Sequence, residues 1–131
     1  VRSAHDCADG GLAVALAECC LWSGLGLTVD AILPSDAESD PLALAALLFG
    51  EAPSRIVVSL TAEQWDALAT LAVRAGVPLT RLGVVGGDTF ALGSAFSVPV
   101  ERLYATWRSG LSAALSAAQA RGVPDGAPTD G

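Results

Sequence analysis

Ser3-Ala4-His5-Asp6-Cys7-Ala8-Asp9-Gly10-Gly11-Leu12-Ala13-Val14-Ala15-Leu16-Ala17-Glu18 passes from an extended segment through a turn into a helix. Val1 to His5 reads as a short strand. Asp9 is a favoured N-cap residue, whose carboxylate can accept from the free N–H groups of a helix running from about Gly10 to Trp22. Leu12, Leu16, Cys19 and Cys20 fall on one face at helical spacing. Gly24 and Gly26 end the helix. A strand that feeds a helix in this way is the first unit of an α/β architecture.

Working outward, Leu27 to Leu33 reads as the next strand and Pro34 to Asp40 as an acidic loop. Asp40 followed by Pro41 is an N-cap and first-turn pair, predicting a short helix to Phe49 that Gly50 closes. Arg55 to Leu60 reads as a strongly buried strand. Thr61 and Gln64 form a capping box ahead of a helix whose apolar face is Trp65, Leu68, Leu71 and Ala72. Gly76 and Pro78 stop it. Arg81 to Val85 and Phe90 to Leu92 are expected to pair as a hairpin through Gly86, Gly87 and Asp88. A last helix follows Pro99, with Leu103, Trp107, Leu111 and Leu115 as a stripe for packing on the sheet. The expected fold class is α/β (α+β): a mixed sheet with helices packed on it, in one domain over residues 1–122, followed by a disordered tail over residues 123–131.

Composition narrows the classes of function. The chain has 131 residues, 52% of them hydrophobic, which suits one packed core. Fourteen acids stand against seven bases, a net charge of −7, and every base is arginine. That balance argues against a nucleic-acid binder, which carries a basic stripe, and against an anionic membrane surface. No apolar run reaches the length of a membrane span. With no methionine at Val1 and a strand at the very start, the chain reads as part of a longer protein. Cys7, Cys19 and Cys20 are an odd count with no zinc spacing, and read as reduced structural thiols of a cytoplasmic protein.

Two constellations carry possible chemistry. In the first, Gly10 and Gly11 open a helix beside His5, Asp6 and Asp9. Free N–H groups and the helix dipole at such a start attract anions, and glycines let a phosphate approach. The competing reading is tight strand–helix packing, with Asp9 as a plain cap and His5 as a structural residue. Asp6 could chelate Mg²⁺ or hydrogen-bond a turn. In the second, Leu48-Phe49-Gly50-Glu51-Ala52-Pro53-Ser54-Arg55 places a carboxylate in a loop and an arginine at the head of a strand. Arg55 could hold a phosphate bidentately, or pair with Glu51 to fix the loop. Gly83 to Asp88 resembles a phosphate loop only superficially, since neither a helix nor a Lys-Ser/Thr pair follows.

Taken together, the block from Ser3 to Glu18 and the block Leu48-Phe49-Gly50-Glu51 with Ser54-Arg55 resemble the final domain of the formylglycinamide ribonucleotide amidotransferase family. Gly76-Val77-Pro78 and Leu82-Gly83-Val84-Val85-Gly86-Gly87 fall where that family places similar blocks, and the similarity runs from Val1 to about Leu115. The resemblance implies a fold similar to the C-terminal domain of aminoimidazole ribonucleotide synthetase-type enzymes. It also implies a part in an ATP-dependent ligase that turns formylglycinamide ribonucleotide into its amidine, with glutamine as amide donor. ATP and Mg²⁺ are the implied cofactors of the parent enzyme. The implied partners are the remaining domains of the same polypeptide, a glutaminase subunit and a small adaptor subunit. His5, Asp6, Asp9, Gly10, Gly11, Glu51, Ser54 and Arg55 are the candidate nucleotide- or phosphate-binding residues. No catalytic residue is expected in this chain, because the family's principal histidine and metal carboxylates lie elsewhere, and the isolated chain is expected to be inactive. Two departures bear on this: Ala8 stands where the family has serine, and Ala52-Pro53 where it often has serine and glutamine. The rival readings are a domain of another enzyme with the same domain pair, such as aminoimidazole ribonucleotide synthetase, selenophosphate synthetase or thiamine phosphate kinase, and a non-catalytic interaction domain.

Overall fold

A computed structural model describes residues 1–30, 40–93 and 96–120. The expected tail over residues 123–131, the acidic loop before Asp40 and the distal part of the second strand lie outside them. In chain order the elements are β1 (Ser3–Asp6), α1 (Gly11–Ser23), β2 (Leu27–Val29), α2 (Pro41–Phe49), β3 (Ile56–Ser59), α3 (Trp65–Ala75, entered by a 3₁₀ turn Ala62–Gln64), β4 (Gly83–Val85), β5 (Thr89–Leu92), β6 (Phe96–Pro99) and α4 (Val100–Ala120).

The expected α/β character holds, with helices packed on mixed β-structure, but the strands divide into two sheets. β1 and β3 form an antiparallel ribbon with Ser3 opposite Ser59 and Asp6 opposite Ile56. The other four strands lie in the order β4-β2-β5-β6, with β2 parallel to β5 and every other pair antiparallel. β3 is therefore not the strongly buried strand that its apolar run suggests. It has one neighbour, and Ile56 is exposed.

The expected hairpin between β4 and β5 is also corrected, because β2 lies between them. Gly26 donates to the Gly87 carbonyl at 2.9 Å and accepts from the Gly86 N–H at 2.8 Å, so the glycine turn straddles the head of β2. The reach is sufficient: four Cα steps from Val85 to Thr89 extend about 13 Å, against about 9.6 Å for two inter-strand spacings. A Cβ on Gly26 would collide with the Thr89 backbone and lie 2.8 Å from the Gly86 carbonyl oxygen, so a bare backbone is required at this crossing. The actual hairpin joins β5 to β6, a strand the sequence reading did not anticipate. It is pinned by an edge-to-face pair of Phe90 and Phe96 with centroids 5.2 Å apart.

α1 is the hub. Gly11, Leu12, Ala13, Ala15, Leu16 and Cys20 are all buried, a wider surface than a single stripe. They meet Cys7, Leu27, Val29, Leu48, Phe90, Leu92 and Val100 in one core. The cap of α1 differs from expectation. Gly10, in a left-handed conformation, is the N-cap and no side chain of the cap bonds to the helix, while Asp9 stays exposed. Gly24 closes α1 in the same left-handed way. Asp40 caps α2 as read, its carboxylate accepting from Ala43 N–H at 2.9 Å. The capping box of Thr61 and Gln64 is present. α3 buries only Ala72 of its expected face, and Leu71 is exposed.

The three thiols are free, and burial raises the pKa of each; Cys20 is pushed up to about 11, first by burial and then by the neighbouring Cys19. A thiol with a folded pKa above its unfolded value adds stability that is intact below the unfolded pKa and lost as pH rises through the folded one. Unfolding by urea should therefore become easier between pH 9 and pH 11, and Cys20→Ala should flatten that decline. A urea midpoint unchanged from pH 8 to pH 11 in the wild type would contradict it.

Candidate functional site

β1 and β3 bring the two sequence constellations into contact. Asp6 sits opposite Ile56, and the Cys7 N–H donates to the Arg55 carbonyl at 3.0 Å. This registers the end of β1 against the head of β3, so the 50–55 loop is carried beneath the start of α1. There the Gly10 N–H donates to Glu51 Oε1 at 2.9 Å. A carboxylate from the second motif thus occupies a helix-start donor of the first, where the helix dipole favours negative charge.

Gly11 serves close packing. Its φ is +75°, and a Cβ there would lie 2.7 Å from the Phe49 carbonyl carbon and 2.8 Å from the Phe49 Cα. The end of α2 therefore presses on the start of α1, and two consecutive left-handed glycines let the chain enter the helix under that contact. Ser54 adopts φ +66°, unusual for a residue with a side chain. It turns the loop so that Arg55 leads into β3.

His5 is held within the chain at both ring nitrogens. Nδ1 lies 2.6 Å from the Asp6 carbonyl oxygen and Nε2 lies 3.1 Å from Glu18 Oε2. The Glu18 partner was not anticipated; it lies two turns into α1, on the side that faces β1. Arg55 is half-buried, and its positive charge opposes the burial-driven rise of the Cys7 thiol. Among the described residues no ion pair joins Arg55 to Glu51. Asp6 and Asp9 are exposed. Beside these groups lies an open concavity of about 480 Å³, lined by Ala4, His5, Asp6, Trp22 and Ile56.

The donor set decides what could be held here. Among the described residues no three His, Cys, Asp or Glu side chains gather as a metal site. Glu51 already accepts from Gly10, and Asp6 Oδ1 lies 3.6 Å from His5 Nδ1. A resident Mg²⁺ or Mg-nucleotide does not fit these residues taken alone. A phosphate contact would use the Arg55 charge and the Gly10 donor, and would have to displace the Glu51 carboxylate. The Glu51 link itself should be modest, since one exposed hydrogen bond to a carboxylate is involved: Glu51→Ala is expected to lower stability by about 1 kcal/mol. Glu51→Gln, which keeps an acceptor, should cost less. Equal losses in both variants on urea denaturation would show that the contact is made by the charge alone.

Residues 1–92 match the family model described as AIR synthase related protein, C-terminal domain. The chain is 46% identical over 126 residues to the phosphoribosylformylglycinamidine synthase subunit PurL of Anaeromyxobacter sp. (strain Fw109-5), covering 88% of this chain and 15% of that protein. It is 37% identical over 113 residues to the subunit of the same name from Thermomicrobium roseum, covering 85% and 15%. Its fold is similar to the crystal structure of tt0281 from Thermus thermophilus, with a TM-score of 0.61 and 30% identity over 76% of this chain and 34% of that one. The chain spans about 15% of the length of the curated relatives it matches. No helix among the described residues is long and apolar enough to cross a membrane.

Proposed function

The chain belongs to the family of AIR synthase related protein C-terminal domains, and on that premise we propose that it acts as one domain of a phosphoribosylformylglycinamidine synthase. The observation that carries this reading is the 46% identity to such a subunit across 88% of the chain. The reaction is the ATP-dependent conversion of formylglycinamide ribonucleotide to its amidine, with glutamine as amide donor, in purine biosynthesis in the cytoplasm. ATP and Mg²⁺ belong to the parent enzyme and are held mainly by its other domains. The partners are those domains of the same polypeptide, the glutaminase subunit and the small adaptor subunit. This chain contributes no catalytic residue and is inactive alone.

Its own contribution is a phosphate-facing surface made of His5, Asp6, Asp9, Gly10, Gly11, Glu51, Ser54 and Arg55. Arg55 brings the positive charge and Gly10 the helix-start donor, while Glu51 guards that donor until an anion replaces it. Support comes from the convergence of both motifs at the start of α1. The test is a sulfate titration followed at the Gly10 and Gly11 amides. Glu51→Gln removes the competing charge and should tighten sulfate binding several-fold. Shifts absent in both forms at high sulfate would remove the phosphate-facing role. Amidine formation by the purified 131-residue chain with ATP, Mg²⁺ and ammonia would overturn its reading as an inactive part.

A further inference from the structure

α4 stands apart from the rest of the domain in two ways. The match to the family model ends at residue 92, before α4 begins. The match to the Anaeromyxobacter subunit covers 88% of the chain, and a continuous stretch of that length contains residues 17–115 wherever it starts. α4 as far as Leu115 is therefore within the stretch similar to the synthase subunit while lying outside the residues that the family model matches.

The surface of α4 is the second distinction. Leu103 is half-buried against the core. Tyr104, Trp107, Leu111 and Leu115 recur at intervals of three, four and four. At about 100° per residue they fall within an arc of about 80°, a straight apolar stripe. Trp107, Leu111 and Leu115 are 62%, 74% and 57% exposed. From Tyr104 to Gln119 every residue of α4 is exposed, so the expected packing of the stripe on the sheet stops at Leu103 and the face bearing Trp107, Leu111 and Leu115 is uncovered. From Ser109 to Ala120 there is no charged side chain. An exposed apolar band of this length marks an interaction surface. At its foot lies an open concavity of about 440 Å³ lined by Asp88, Glu101 and Tyr104 among others, with Asp88 Oδ1 accepting from the Thr89 hydroxyl.

Resting on the synthase reading above, we infer that this stripe docks against an apolar segment of the remaining synthase polypeptide, with a basic side chain of that segment seated between Asp88 and Glu101. The length of the relatives supplies the occupant: about 85% of such a subunit lies outside the stretch this chain matches. Charge argues against a second copy. An antiparallel copy would bring the uncharged half of α4 to Asp88 and Glu101 and offer no base there, while adding a second net charge of −7. A segment with one lysine or arginine beyond its apolar ridge fits both ends of the surface.

The test replaces the matching stretch of the Anaeromyxobacter subunit by this 131-residue chain and compares amide hydrogen exchange in the chimera and in the free chain. Residues 104–115 should exchange at least about tenfold more slowly in the chimera. Trp107→Ser with Leu111→Ser should abolish that protection, as expected when anchor side chains are cut from an interface, while Leu71→Ser on α3 leaves it unchanged. α1 exchange, measured in the same spectra, reports that each variant is folded. Protection elsewhere but not on α4, in a chimera that makes the amidine, would overturn the docking surface and leave the synthase reading standing. A folded chimera with neither protection nor amidine synthesis would overturn both. Concentration-dependent dimerisation of the free chain, lost with Trp107→Ser, would overturn the inference in favour of a second copy.

Discussion

Gly11→Ala is expected to lower the stability of the folded chain by about 2–5 kcal/mol, because two effects add. An alanine at φ +75° occupies the left-handed region, at a cost of about 1–2 kcal/mol. Its Cβ would also lie 2.7–2.9 Å from backbone atoms of Leu48 and Phe49, which cannot swing aside as a side chain could. Relief requires α2 to move off α1, and overpacking of that kind costs about 1–3 kcal/mol. Gly24→Ala provides the internal standard. Gly24 is equally left-handed, at φ +68°, but nothing lies within 4 Å of its would-be Cβ. It should lose only about 1–2 kcal/mol, the conformational part alone. Urea denaturation of the two variants separates packing from conformation. Equal losses would mean that the α1–α2 contact yields without cost and that the glycine pair is not there for packing.

That comparison bears on what sequence could and could not say about the Asp9-Gly10-Gly11 block. Its position was legible: a strand, a turn and a helix start follow from local patterning alone. The cap was not, because Asp9 and Gly10 are both acceptable N-cap residues. The choice between them follows from Phe49 pressing on Gly11, a contact thirty-eight residues away in the chain. The Glu51 carboxylate accepts from the N–H of the cap residue itself, the part that an N3 side chain plays in a capping box. Both motifs were recognisable as pieces of one site through their resemblance to a family. Nothing in either motif alone announced that one would hydrogen-bond the other.

The same division runs through the sheets. α2 and α3 were readable from their caps, since Asp40 with Pro41 and Thr61 with Gln64 act within a single turn. Strand partners are set by non-local closeness, and there the reading failed twice. Gly86-Gly87-Asp88 has the composition of a hairpin turn, and composition does not reveal that another strand passes beneath it. Ile56 to Ser59 has the apolar run of a central strand, yet it pairs only with β1. A two-strand ribbon is marginal on its own. Here it is anchored through Val57, which packs against the core, and by the hydrogen bond between the Ser3 and Ser59 hydroxyls at 2.6 Å. The α4 stripe is the third case. Periodicity correctly placed Trp107, Leu111 and Leu115 on one face, but a periodic pattern states only that a face is apolar, not what covers it.

Phe90→Ala is expected to be the most damaging single truncation, at about 3–5 kcal/mol. Phe90 is 2% exposed and lies in β5, which has β2 on one side and β6 on the other. Its pairing partners are Leu27 on the parallel side and Val98 on the antiparallel side, so removing the ring opens a void beside both neighbouring strands. The ring also meets Phe96 edge to face, which is worth about 0.5–1.5 kcal/mol beyond its buried area. Neighbours are poorly placed to close the gap. Gly26 sits directly against the Thr89 backbone, so β2 and β5 are already as close as they can come there. The cavity would therefore persist rather than collapse, which places the cost at the upper end for its chemistry. Against a typical domain stability of about 5–15 kcal/mol, a loss of about 5 kcal/mol removes between about a third and all of the folded state's margin. Phe96→Ala, at an exposed position on the hairpin partner, removes the aromatic contact without opening the core. It should cost only about 1 kcal/mol, the scale of the pair itself. Thermal melts of both variants give the answer: a Phe90→Ala loss no larger than that of Phe96→Ala would mean that β5 is not the centre around which the four-stranded sheet is built.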